Sequence, residues 1–348
     1  MKKGKLKMRT KIIKSKIQDL IEEFNNIESD TLLFVVDHVV WGHFSKEIIL
    51  ENIQNKKVIF WKAPDGEKVK NFNDLQIALE FFLDKGIHRN AHLISIGGGA
   101  VSDFAGFIAA TILRGISWSV VPTTLLSMVD AGIGGKVAIN SKIGKNLIGA
   151  YHLPEKIWIC PEFLTTLSEL EKNSGKGEIL KYCFLNFEIY NLVIKKSPIQ
   201  DIIDACAQYK EQLTFEDFKE ESVRKILNLG HSFGHALEFI YNLPHGEAVV
   251  WGMVLIFKIF GSEKNLNDLK SLKEALAIPG EHSPWHNKEF PIEKIMTFLA
   301  KDKKISALSS IDLILVKDIG NPEIENKTFS EIESTLESFK EDLKKFIL

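Results

Sequence analysis

Cysteine is scarce in this 348-residue chain: Cys160, Cys183 and Cys206 are the whole complement, and none sits in a Cys-x-x-Cys pair. An odd, scattered trio excludes a disulfide framework and a cysteine-based zinc knuckle, and fits reduced thiols in the cytoplasm. Charge of one sign is also missing, because 44 Lys and Arg face 46 Asp and Glu for a net of -2. That balance provides no field for nucleic acid or an anionic membrane. No apolar run reaches the roughly 20 residues of a membrane span. The basic start (Lys2, Lys3, Lys5, Lys7, Arg9, Lys11) has no hydrophobic stretch behind it, so it reads as a solvated terminus rather than a signal peptide. Internal repeats, low-complexity linkers and the dinucleotide fingerprint GxGxxG are absent as well.

What is present is apolar mass: 45% hydrophobic residues over this length suffice for two domains with their own cores. In the first half, TLLFVVD (31–37), KKVIFW (56–61), HLISI (92–96) and SWSVVPTT (117–124) read as strands, TLLFVVD and HLISI as buried ones. Between them, Ile13, Ile17, Leu20, Ile21 and Phe24 predict an amphipathic helix over 12–27, PDGEKVK (64–70) a turn, and 72–86 a helix. The alternation predicts an α/β, Rossmann-like parallel-sheet domain over 1–167. Beyond it, periodic segments at 168–196, 199–213, 222–242, 246–265, 267–277 and 292–303 predict an all-α domain over 168–348, with only DLILV (312–316) extended. The two halves are expected to pack tightly around a cleft.

Three polar constellations interrupt this pattern. Strand HLISI runs into GGGAVSDFAGF, a strand–turn–helix that brings backbone N–H groups to a phosphate. DAGIGGKVAINSKIGKN (130–146) reads as a glycine-rich loop whose Asp130, Lys136, Lys145 and Asn146 suit a phosphorylated substrate. In RKILNLGHSFGHALEFIYNLPHGEAV (224–249), Arg224, Asn228, His231, His235 and Glu238 are spaced 4, 3, 4 and 3, which on one continuous helix makes a polar stripe amid core. Buried polar groups call for partners, so the stripe implies a metal, ligand or substrate. His231 and His245 with a carboxylate would form an open catalytic zinc set. A metalloprotease is disfavoured, because HSFGH has Ser where HExxH has its Glu. Glu178 and Lys181, at i,i+3 in GEILKY, read by themselves as an intrahelical ion pair.

Taken together, GGGAVSDFAGF (97–107), RGISWSVVPTTLLSMVDAGIGGK (114–136), GKNLIGAYH (144–152), GEILKY (177–182), LNLGHSFGHALE (227–238) and PHGEAV (244–249) resemble the dehydroquinate synthase family of sugar phosphate cyclases. The resemblance runs from PDGEKVK (64–70) to KDKKIS (301–306). It implies a phosphorus–oxygen lyase of the shikimate pathway, in chorismate and aromatic amino acid biosynthesis. In such an enzyme 3-deoxy-D-arabino-heptulosonate 7-phosphate is oxidised by NAD+, loses phosphate, is reduced again, and closes by an aldol step to 3-dehydroquinate.

By the same resemblance Glu178, His231 and His245 match the ligands of Zn2+ or Co2+. Asp65, Gly66, Glu67, Lys70, Gly98, Gly99, Ala100, Val101, Ser102, Asp103, Thr123, Thr124, Phe163, Leu164, Thr165 and Thr166 match NAD+-binding positions. Lys136 and Lys145 match cofactor and active-site lysines, beside Asp130 and Asn146. Lys181, Lys210, Arg224, Asn228 and His235 match the substrate set, in which Lys210, Arg224 and Asn228 would hold the substrate carboxylate and His235 would relay a proton. Lys303 or Lys304 matches a further lysine, and a homodimer is implied. The sequence departs from the family pattern at Ser102, Ala131, Gly132 and Ser222.

Cyclases of carboxylate-free sugars, such as 2-deoxy-scyllo-inosose or 2-epi-5-epi-valiolone synthases, have no need of the Lys210/Arg224/Asn228 clamp. A plain NAD- and metal-dependent alcohol dehydrogenase does not need Lys136, Lys145 and Lys181 together. A binding or scaffold protein has no reason to keep Glu178, His231 and His245, whose burial without partners is costly.

Overall fold

In the computed structural model, which describes residues 9–64, 66–302 and 309–348, the chain begins with strand β1 (Lys11–Lys14). There follow α1 (Leu20–Asn25), β2 (Thr31–Asp37), α2 (His38–Phe44), β3 (Lys57–Ala63), α3 (Phe72–Asp84), β4 (His92–Gly97), α4 (Gly99–Thr111) and β5 (Ser117–Pro122). A hairpin of β6 (Lys136–Ile139) and β7 (Ile148–Tyr151) precedes β8 (Lys156–Ile159). Six strands form a parallel sheet in the order β1-β8-β5-β4-β2-β3. Every residue of β2 and β4 is buried, as continuous apolar runs in a sheet covered on both faces must be. The strand order reverses between β2 and β4, and at such a reversal a crevice opens beyond the carboxyl ends of the strands. The turn Gly97-Gly98-Gly99, at the end of β4, lies at that place.

Two expectations for this region are corrected. Residues 12–27 are not one helix: Lys11–Lys14 is extended and pairs with β8, and only Leu20–Asn25 is α-helical. The spacing of Ile13 and Ile17 suits either period, and the partner that decides lies far along the chain. Residues 130–146 are not simply a loop. Ser127–Ala131 is a π-helical turn, and Lys136–Ile139 pairs antiparallel with Ile148–Tyr151.

The second half holds α5 (Glu169–Leu185), α6 (Phe187–Ile194), α7 (Ile199–Glu216), α8 (His231–Tyr241), α9 (His245–Phe260), α10 (Glu263–Ala275) and α11 (Ile292–Asp302). Then come an antiparallel hairpin of β9 (Ser310–Asp318) and β10 (Asn321–Thr328), and helices α12 (Phe329–Ser338) and α13 (Lys340–Lys344). DLILV therefore has a strand partner that its neighbour NPEIENKT, polar and Pro-bearing, did not announce. The segment 168–196 is two helices, because Asn186 ends the first and its side chain caps the second, accepting from the N–H groups of Glu188 and Ile189. Among the described residues no helix is long and apolar enough to cross a membrane. All three cysteines are buried free thiols.

The chain divides into two units that are not consecutive in sequence: Met1–Lys172 with Ala207–Lys219, and Asn173–Cys206 with Glu220–Leu348. The second part of α7 belongs to the first unit, a division that differs from the expected boundary at 167/168. Charged groups fasten it there. The Arg9 guanidinium grips Glu211 with Nε at 3.0 and 2.9 Å from the two carboxylate oxygens, and Lys210 Nζ donates to the Asp130 carbonyl at 2.7 Å.

His92, the first residue of β4, is buried with Nε2 2.9 Å from Ser119 Oγ and Nδ1 3.9 Å from Glu155. Burial pushes its pKa down to about 4; Glu155 opposes this, and Lys156 and Lys56 add to it. The imidazole therefore stays neutral in the fold, whereas the unfolded chain binds a proton near 6.5. Its contribution to stability is complete above pH 6.5 and is lost as pH falls toward 4, by about 3 kcal/mol in all. Urea melts of the parent and His92→Gln should show this: the parent's unfolding free energy should drop by about that much more than the variant's between pH 7 and 4. Parallel pH profiles would contradict it.

Candidate functional site

In the second unit, three helices deliver one polar cluster. Gly177 of α5 lies against the backbone of Gly246, since a Cβ on Gly177 would stand 2.3 Å from the Gly246 carbonyl oxygen. A Cβ on Gly246 would stand 2.0 Å from the Ser174 oxygen. Helices α8 and α9 meet as closely: a Cβ on Gly252 would lie 2.0 Å from the Gly230 oxygen. Glu178 follows Gly177, His231 follows Gly230 and His245 precedes Gly246, so these backbone contacts set the positions of the three side chains.

Donor atoms of Glu178, His231 and His245 lie within 4.8 Å of one another. Glu178, fully buried, presents Oε1 to His245 Nε2 at 3.1 Å and to His231 Nε2 at 3.5 Å. Each imidazole is oriented by its other nitrogen. His231 Nδ1 is 3.2 Å from the Leu229 carbonyl, and His245 Nδ1 is 3.1 Å from Glu238 Oε2. With Nδ1–H donating outward, both Nε2 atoms face the cluster, where each can serve as a ligand once it carries no proton, the orientation found around metal-ligating histidines. Burial, foremost, pushes His231 down to about 3 and keeps it neutral. Burial also opposes charge on His245, but hydrogen bonds to Glu178 and Glu238 outweigh it and raise it to about 10. Two neutral-capable nitrogens and a carboxylate oxygen are a zinc or cobalt donor set with room for exchangeable ligands, so the residues fit a divalent cation.

Glu178 Oε2 pairs with Lys181 Nζ at 2.5 Å, both side chains being buried. The i,i+3 pair read from sequence is therefore real but not superficial; buried at this depth, an ion pair needs its surroundings to compensate it. His235 lies on the same helix as His231, with ring centroids 5.4 Å apart, and 6.0 Å from the His245 ring. The continuous helical stripe from Arg224 to Glu238 is corrected. Arg224 and Asn228 lie on a 3-10 turn, Val223–Asn228, and Gly230 breaks the helix with φ +78°, a left-handed value that spacing alone cannot reveal. Arg224 and Asn228 still meet one partner: Asn228 Nδ2 donates to Glu220 Oε1 at 2.8 Å, and Arg224 Nε is 3.8 Å from Glu220 Oε2.

The first unit gathers the other residues. Asp37, at the end of β2, caps α2. A Cβ on Gly97 or Gly99 would press on Val101 at 2.7 Å or Ala131 at 2.8 Å, and one on Gly98 would crowd the Thr124 methyl at 3.0 Å, so side chains at this turn would force their neighbours to shift. Ala100, Val101 and Ser102 fill the first turn of α4 behind it. The Thr123 hydroxyl is buried without a hydrogen-bond partner at the end of β5, while Thr124 Oγ1 bonds to Ser127. An N–H-bearing helix start beside an unsatisfied hydroxyl fits a dinucleotide pyrophosphate. Lys70 Nζ, buried, donates to Asp103 Oδ2 at 2.7 Å and to Asn146 Oδ1. Burial pushes Asp103 up to about 6, with Lys70 pulling the other way. Gly66 and Glu67 lie in the 3-10 turn Gly66–Val69, and Phe163, Leu164, Thr165 and Thr166 in Pro161–Thr166. Lys136 opens β6, Lys145 is exposed near Asn146, and Asp130 receives Lys210 Nζ at 3.0 Å. Asp65, Lys303 and Lys304, and the basic residues before Arg9, lie outside the described residues.

Sequence reasoning missed two carboxylate roles. Glu238 stood in the polar stripe, where its i,i+3 relation to His235 put it on the metal-facing side, yet its bond to His245 was not foreseen. Glu220 was overlooked, although acid–base spacing of i,i+4 to Arg224 was there to read.

Family models for the 3-dehydroquinate synthase N-terminal and C-terminal regions match residues 60–174 and 175–305. A 3-dehydroquinate synthase of Staphylococcus carnosus is 36% identical over 300 residues, covering 80% of this chain and 81% of the relative. Among solved structures, a 2-epi-5-epi-valiolone synthase from Streptomyces hygroscopicus with NAD+ and Zn2+ bound superposes with a TM-score of 0.80 at 24% identity, covering 98% of each chain. A 2-deoxy-scyllo-inosose synthase complexed with carbaglucose-6-phosphate, NAD+ and Co2+ gives 0.76 at 21% identity, covering 94% of this chain and 96% of the other. These two likenesses fix the fold, and the family models with the staphylococcal relative fix the lineage: the chain belongs to the 3-dehydroquinate synthase family.

Proposed function

We propose that the chain converts 3-deoxy-D-arabino-heptulosonate 7-phosphate to 3-dehydroquinate and phosphate, using NAD+ and Zn2+ or Co2+. The convergence of Glu178, His231 and His245, each histidine oriented through Nδ1, carries this reading. When bound, the cation supplies Lewis acidity and NAD+ a hydride acceptor regenerated within the turnover. Lys70, Asp103 and Thr123 contribute polar atoms to the dinucleotide, and the open turn at Gly97–Gly99 admits its phosphates. Phe163, Leu164, Thr165 and Thr166 complete that side. Lys181, paired with Oε2 of Glu178, fixes that carboxyl group so that its Oε1 faces the two histidines. His235 stands close enough to the triad to accept or return a proton at the substrate's reacting end, and Asp130, Lys136, Lys145 and Asn146 suit its phosphate.

The clamp for the substrate carboxylate is Lys210, Arg224 and Asn228. Each already holds a carboxyl-bearing residue of the protein, Asp130 or Glu220, which supports their fitness for a carboxylate ligand. Arg224→Ala should raise KM for the keto acid roughly 10- to 100-fold, the worth of a charge-assisted hydrogen bond, and leave the Kd for NAD+ within about 3-fold. Equal losses for both ligands would argue against the clamp.

Phosphate release from the heptulosonate phosphate tests the function directly. It should require NAD+, stop with a chelator and return with Zn2+ or Co2+. Release from a hexose 6-phosphate without a carboxylate, and none from the keto acid, would favour the related cyclases instead. The same reading makes the enzyme a cytoplasmic homodimer of the shikimate pathway, which sedimentation and fractionation would check.

A further inference from the structure

Asn140 has no part in the reading above, yet its backbone N–H and both polar atoms of its side chain are directed at residues that do. Its backbone N–H donates to the Lys70 carbonyl at 2.8 Å. Its Nδ2 donates to Glu67 Oε1 at 2.7 Å, and its Oδ1 accepts from the Asn146 N–H at 2.9 Å. Only this amide orientation satisfies both neighbours, a carboxylate that must receive and an N–H that must give. Lys70 closes the ring by donating to Asn146 Oδ1 and to Asp103. Asn146 has φ +58°, a left-handed value tolerated by Asn and held here by contacts at both its N–H and its side chain. Between the two asparagines the turn bonds to itself: Ser141 N–H donates to the Gly144 carbonyl, and the Ile143 and Gly144 N–H groups donate to Ser141 Oγ. Ile143 at its tip is 83% exposed. The turn is therefore fastened through its two ends, and Asn140 ties both ends to the cofactor segment Gly66–Lys70.

We propose that Asn140 is a positioning residue that couples NAD+ occupancy to the ordering of residues 140–147, which present Lys145 and Asn146 to the substrate phosphate. This deepens the reading above and rests on it. A dinucleotide that engages Glu67 and Lys70 restricts the two side chains on which Asn140 and Asn146 depend. The turn is then ordered before the phosphate arrives, and by linkage the phosphate tightens NAD+ by the same factor.

Two readouts test it on the full chain, with NAD+ and inorganic phosphate as probes. In the parent, NAD+ should slow amide exchange across 140–147, and the Kd for phosphate should fall roughly 5- to 50-fold when NAD+ is present, a usual span for such coupling. Asn140→Ala should bring that factor to about 1. Asn140→Asp keeps the acceptor for Asn146 but sets a carboxylate against Glu67; it should fold as the parent does and still lose most of the coupling. Coupling and exchange protection retained in both variants would overturn the proposal. A parent that binds no NAD+ overturns the cofactor reading, and the proposal with it; a parent that binds NAD+ without coupling overturns the proposal alone.

Discussion

His231→Ala is expected to leave a folded protein that carries roughly a tenth or less of the parent's metal and turns over at least about 10³-fold more slowly. The slowing corresponds to the several kcal/mol of charge stabilisation that a Lewis acid contributes. The reasoning begins from the cluster's small size. Its ligand atoms span no more than 4.8 Å, and the truncation removes one of the two imidazole nitrogens. Of the donor set, Glu178 Oε1 and His245 Nε2, 3.1 Å apart, would remain, and one histidine with one carboxylate is a weak site. The fold should persist, because His231 stands at the first position of α8 and the helix packs through Phe233, Gly234, Ala236 and Leu237. Metal analysis, circular dichroism and phosphate release are the measurements. A metal-free variant of full activity would end the assignment.

Gly246→Ala is the other large effect, and it acts through the backbone. The added methyl would lie 2.0 Å from the Ser174 carbonyl oxygen and 2.6 Å from its carbonyl carbon, neither of which can rotate away. Helices α5 and α9 would have to part at the point that places Glu178 against His245. Overpacking usually costs about 1–3 kcal/mol; contact with main chain rather than a flexible side chain puts this case at about 3 kcal/mol or above. Urea midpoints would read the destabilisation. Metal affinity should fall with it, although no ligand is altered. A Gly246→Ala protein with parental stability and metal content would show that the helices tolerate separation.

How much of this was legible depended on whether the signal was local. Strands β2 to β5 declare themselves as short apolar runs, buried in β2, β4 and β5 and half-buried in β3 at the sheet edge, and the glycines after β4 announce a tight turn. The histidines stood out because imidazoles amid core residues demand partners, whereas Glu178 read by itself as an ion pair with Lys181 and joined them only through the family resemblance. Strand β1 was misread because its pairing partner, β8, is remote, and its isoleucines satisfy a helical period equally well. Strand β10 was missed because NPEIENKT is polar and partly exposed, as an edge strand can be. The break at Gly230 escaped notice because a run spaced by threes and fours looks continuous whether or not one residue turns left-handed. The polar stripe survived the break: Arg224 and Asn228 still converge on one carboxylate, though on a different element from His231.

The interleaving of the two units has a consequence for biosynthesis. Asp130 and Arg9 emerge from the ribosome well before Lys210 and Glu211, their partners in the same unit. At roughly 5–20 residues per second, the stretch between Lys172 and Lys219 delays completion of the first unit by a few seconds. Over that interval the nascent sheet waits with Arg9 and Asp130 unclasped, while the chain being added belongs to the other unit. A stall or a nick within 173–206 would thus deprive the amino-terminal fold of its last helix, and chaperone capture should be greatest there.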